Sequence, residues 1–103
     1  MSAHDLESIE RKQRELLEHV DVPKQSSIWQ HYKGDLYRVE GLVMREGTEE
    51  IDVCYLNVKR PLPLPWSRPL TEWNDLVDIN GKQVRRFVLV DSETPPQFWN
   101  SYR

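Results

Sequence analysis

The chain has 103 residues, room for one domain whose folding hides most of the surface that an unfolded chain of this length exposes. Its formal charge is −3, yet residues 28–90 carry nine acids against nine Lys and Arg. That balance argues against nonspecific nucleic-acid binding by phosphate neutralisation. No apolar run approaches the ~20 residues of a membrane span, residues 1–10 do not form a signal peptide, and the single Cys54 has no disulfide partner. A soluble, cytoplasmic protein without membrane partners is expected.

In chain order, residues 1–22 form the first unit. Leu6, Ile9, Leu16, Leu17 and Val20 recur at three- and four-residue steps and predict a helix over 4–20, ended by Pro23. Glu7–Arg11 and Glu10–Arg14 are spaced for helical ion pairs with the acid first. This helix either packs on its own domain or pairs with a second subunit. Residues 24–27 read as a linker.

From residue 28 to 90 the period changes to two, which predicts a mainly β unit (α+β by content): a small antiparallel barrel of five or six strands. Tyr37, Val39 and Val43 on one run, and Ile51, Val53 and Tyr55 on the next, are expected inside it. Leu70, Ile79, Phe87 and Leu89 complete the expected interior. Residues 46–49 join the first two runs as a hairpin, and Gly41 marks a bulge or a sharp bend. Asn80-Gly81 is a two-residue turn between 76–79 and 84–90. Arg60-Pro-Leu-Pro-Leu-Pro must be extended, as a stiff crossover or an edge strand. The tail, 91–103, carries Phe98, Trp99 and Tyr102. The apolar helix stripe and this tail predict a homo-oligomer held through Leu6, Ile9, Leu16 and Val20, with Phe98 and Trp99 reaching across.

His31-Tyr-Lys-Gly34, Leu36-Tyr-Arg-Val39, Gly41-Leu42, Trp66-Ser-Arg-Pro-Leu70, Asn80-Gly81 and Arg86-Phe87 resemble the bacterial and phage domain of unknown function 1653. The resemblance covers about residues 28–88, and the proline-rich stretch before Trp66 departs from the family's pattern. It implies an SH3-like barrel and no established activity.

Chemistry is therefore sought in the residues. No phosphate-binding glycine loop, Cys-x-x-Cys, zinc-ligand pair or nucleophile elbow is present, so no metal or cofactor is expected. The acids at 49, 50, 52, 75 and 78 fit a solvated face or a guarded edge better than a catalytic pair. His31 and Lys33 project from one face of an extended segment, as do Trp66 and Arg68. Guanidinium forks suit phosphate or carboxylate, and indole offers a stacking plate. With Tyr32, Tyr37 and Arg86 they form the candidate binding set. The alternative is structural: Trp66 and Tyr37 fill the barrel, and Arg68 pairs with Glu40 or Asp78. The first functional expectation is a non-enzymatic domain that binds a nucleotide-like or other anionic small molecule, a phage version of which would sequester a nucleotide signal. The second is a module that assembles with itself or a host protein, and the third a small enzyme using His31.

Overall fold

A computed structural model describes residues 5–18 and 22–91. His4, His19 and Val20 of the expected helix, and Phe98, Trp99 and Tyr102 of the tail, lie outside the described residues.

Helix α1 spans Leu6–Leu17, with an Arg14–Glu10 ion pair at 2.5 Å one turn apart. None of its residues is fully buried, and Leu6 remains 76% exposed. The helix meets the sheet by its middle: Lys12 approaches Glu49 at 3.8 Å, and the Gln13 amide donates to Met44 Sδ at 3.7 Å. Leu16 and Leu17 line a gap of ≈ 140 Å³ with Leu42, Ile51 and Leu70. These contacts set the middle of the helix against its own domain. No helix among the described residues is long and apolar enough to cross a membrane.

The remaining elements are β1 (Ile28–His31), β2 (Leu36–Met44), β3 (Ile51–Asn57), β4 (Trp66–Pro69), a single helical turn α2 (Leu70–Trp73), β5 (Leu76–Ile79), β6 (Lys82–Arg85) and β7 (Phe87–Asp91). All pairings are antiparallel, in one five-stranded sheet ordered β4-β3-β2-β1-β7 and one two-stranded ribbon β5-β6. The molecule is mainly β, but the sheet is not closed into a barrel. The ribbon pairs only with itself, and β7 returns beside β1 instead of bridging to β4. The expected strand over 84–90 is divided at Arg86. Its N–H donates to Asp75 O and its C=O accepts from Tyr32 N–H, so the chain changes partners there.

Residues 24–27 are not a slack linker. Ser26 N–H donates to Val39 O, Val39 N–H donates to Ser27 O, and the buried Ser27 hydroxyl accepts from Trp29 Nε1 at 2.8 Å. The turns follow their sequence signals. Asn80 and Gly81 both take positive φ, 52° and 84°, and the Gly81 N–H is held by Asp78 Oδ1. Asn57 Oδ1 accepts from Lys59 and Arg60 N–H, launching the exposed proline stretch toward the edge strand β4.

The core is aromatic. Trp29, Val39, Val53, Tyr55, Trp73 and Phe87 are buried together, with Tyr37, Leu42 and Leu70 packed against them. Trp73 of α2 caps one face of the sheet. Three expected interior residues lie outside. Val43 is 48% exposed because the bulge expected at Gly41 changes side-chain parity. Val39 faces Tyr55, but two residues of β2 then oppose one step of β3, so Leu42 meets Val53 and enters the core while Val43 turns away. Leu89 is exposed because β7 is an edge, and Ile79 because the ribbon stands apart from the main sheet.

Candidate functional site

Residues opposite one another across antiparallel strands share a face. The register pairs His31 with Phe87, Trp29 with Tyr37, Tyr37 with Asn57, Tyr55 with Trp66, and Val53 with Arg68. His31, Tyr37, Trp66 and Arg68 therefore belong to the core-bearing face, toward one end of the sheet. Trp66 is not in the core: it stands 56% exposed on the edge strand. Tyr37 is half-buried and meets Tyr55 and Phe87 edge-on, at 5.4 and 6.0 Å, so it is chiefly a wall of the aromatic cluster.

Two guanidinium groups converge on one residue. Arg68 Nη1 pairs with the Glu72 carboxylate at 3.1 Å, while Arg86 Nε donates to the Glu72 backbone carbonyl at 3.2 Å. Arg68 Nε also reaches the Tyr55 hydroxyl at 3.5 Å. Neither structural partner expected for Arg68 is used, and Glu40 is taken by Arg38 at 2.6 Å. Among the described residues, Arg86 and Lys33 have no carboxylate in ion-pair range: the Glu72 carboxylate pairs with Arg68 alone, and Arg86 reaches only the Glu72 backbone carbonyl.

His31 sits beside them. Its ring packs edge-on against Phe87 at 5.1 Å and Tyr37 at 6.2 Å, and lies tilted over Tyr32 at 4.4 Å. Its Nδ1 accepts the Lys33 backbone N–H at 3.1 Å, which leaves the ring proton on Nε2. Burial, with Arg86, Lys33 and Arg68 nearby, holds its pKa below the ordinary histidine value against the opposing pull of Asp35. Neutral His31 is thus an acceptor toward the turn and a donor on its other side. The turn is closed by His31 N–H to Asp35 O at 2.8 Å and Gly34 N–H to His31 O at 2.7 Å. It carries Lys33 outward, its ammonium 5.8 Å from the Tyr32 ring centre.

The structure thus gathers His31, Tyr32, Lys33, Arg68 and Arg86, with Tyr37 behind them and Trp66 at the rim. Sequence reasoning missed Glu72, Tyr55 and Asp35. The signal for Glu72 was its four-residue spacing from Arg68, hidden because Pro69 divides a strand from a helical turn. No group of three or more His, Cys, Asp or Glu among the described residues could hold a metal ion.

Residues 27–89 match the protein of unknown function family DUF1653, and the chain belongs to that family. Every candidate site residue falls inside the match, whereas α1 falls outside it. A solved structure similar to this chain is the crystal structure of a protein belonging to DUF1653 from Bordetella bronchiseptica. It is 34% identical, with a TM-score of 0.58 over 70% of this chain and 94% of that one. No curated protein matches the chain.

Proposed function

We propose that this protein is a non-enzymatic binding domain for an anionic, nucleotide-like small molecule, taken up at the Arg68–Arg86–Lys33 end of the sheet. The observation that carries this reading is the convergence of two guanidinium groups on the single residue Glu72, beside a neutral histidine and an exposed indole. A folded core has no need of such a cluster, while an anion would complete its unfilled donors. Trp66, on the same face as Arg68, supplies the plate for a base. We also read the sheet as a half-open form of the SH3-like barrel. The bulge in β2 and the register shift between β1 and β7 support this, since such irregularities curl a small sheet toward closure.

Thermal denaturation with a panel of nucleotides tests the binding reading. A ligand at a hundred times its dissociation constant adds about 2.7 kcal/mol. Lys33→Ala and Trp66→Ala should remove that gain with little change in the unliganded melting point, because both side chains are exposed. A panel that moves the native protein by less than its error at millimolar concentration would end the reading.

A further inference from the structure

The bond from Lys33 N–H to His31 Nδ1 does more than orient an imidazole. It crosses a five-residue turn that two backbone hydrogen bonds also close, and it holds the segment carrying the exposed ammonium of the site. An imidazole can accept at Nδ1 only while that nitrogen is unprotonated. Once protonated, Nδ1 becomes a donor aimed at another donor, and the contact changes from attraction to repulsion.

We propose that His31 is an acid-operated latch: a proton on Nδ1 breaks its bond to the Lys33 N–H and releases the turn that presents Lys33. The groups facing the ring set the direction. Lys33, Asp35 and Tyr32 face it from the turn, Tyr37 from β2, Arg68 from β4, and Arg86 from the break between β6 and β7. Three are cations and one is an anion, so the cluster resists the proton, in accord with the lowered pKa of His31. The latch therefore stays shut through neutrality and opens only on the acid side of the ordinary histidine range.

The same cluster links the latch to the binding reading above, on which this second half rests. An anion seated between Arg68, Arg86 and Lys33 offsets their repulsion of the imidazolium. Anion and proton then favour one another, and by linkage each tightens the hold of the other. The anion is bound more tightly in acid, with Lys33 free to close on it from the released turn.

Amide hydrogen exchange and histidine NMR on the full chain, from about pH 7.5 to about pH 4.5, test this. After correction for intrinsic exchange, the Lys33 amide should lose at least about tenfold of its protection as His31 titrates. His31→Asn carries an oxygen acceptor at the same remove from Cα as Nδ1, and has no proton to gain. It should keep the amide protected throughout. The latch is overturned if Lys33 stays protected below the His31 midpoint, or if the Asn variant loses protection alongside the native chain. Sulfate, a dianion across this range, is the probe for the second half. It should raise the His31 midpoint in the native protein and lose that effect in Arg86→Ala. Sulfate that leaves the midpoint unmoved, while the latch still opens, would remove the anion reading and leave the latch standing.

Discussion

Trp73 lies flat on Phe87, ring centroids 3.7 Å apart and planes 7° from parallel. Trp29 and Tyr55 meet the same indole at steep angles, 78° and 66°, so α2's one buried side chain touches three of the sheet's aromatics. A turn of four residues has no helical stability of its own. Its place is held by this ring.

Trp73→Ala should therefore cost about 3–5 kcal/mol in urea unfolding followed by circular dichroism. Trp73→Phe should cost much less. Phenylalanine keeps a ring against Phe87, and it also removes an indole N–H that is buried without a partner among the described residues. A Phe variant as unstable as the Ala variant would mean that neither the retained ring nor its volume replaces the indole, and would refute this account.

Gly41 sits at φ +157°, and a Cβ built there meets nothing within 4 Å. The cost of any side chain is thus a backbone cost. Gly41→Ala and Gly41→Ser should each lose about 1–3 kcal/mol and agree closely with one another. A serine penalty far above the alanine one would point to crowding and contradict the open space.

Asp52 is only 7% exposed on the face opposite the aromatic core, and Arg45 Nε holds its carboxylate at 3.1 Å. Arg45 is itself partly in solvent, so the pair contributes less than a fully desolvated one. Arg45→Met should cost about 1–3 kcal/mol by leaving the carboxylate without its cation. Adding Asp52→Asn should recover part of that loss. A double-mutant cycle with no coupling would show the two residues acting independently.

The lowered pKa of His31, caused first by burial and then by Arg86, Lys33 and Arg68, carries a stability signature of definite sign. The unfolded chain takes up a proton near the ordinary histidine value, while the folded chain takes it up only in stronger acid. The contribution is complete above that ordinary value and is lost as pH falls below it. Native protein should lose stability more steeply than His31→Asn in this window, as read by urea midpoints at matched ionic strength. Parallel profiles would refute the assignment.

Much of this architecture is visible in the amino acids, and the failures have physical causes. Val39, Val53, Tyr55 and Phe87 read correctly because alternation survives wherever a strand is regular and one face is buried. Alternation fails on β2 at Gly41: parity reverses beyond its bulge, which exposes Val43 and packs Leu42 against the core. Trp29 and Trp73 escaped because a four-residue strand and a single helical turn are too short to show a period. The cations of the candidate site were legible as residue types at fixed spacings. Glu72 was not, since only folding shows that Arg86, fourteen positions further on, also reaches it.

Ile28 and Asp91 face each other across β1 and β7. The first and last residues of the sheet are therefore neighbours, and the chain enters and leaves this unit at one place. Such a unit can be spliced whole into a surface loop of another protein without prying the host apart. It can equally be circularly permuted, with a linker joining 91 to 24, so that Ser26 and Ser27 keep their bonds to Val39, and new ends opened in the exposed 46–48 hairpin. The permutant would keep every strand pairing of the original while reversing which strands emerge first from the ribosome.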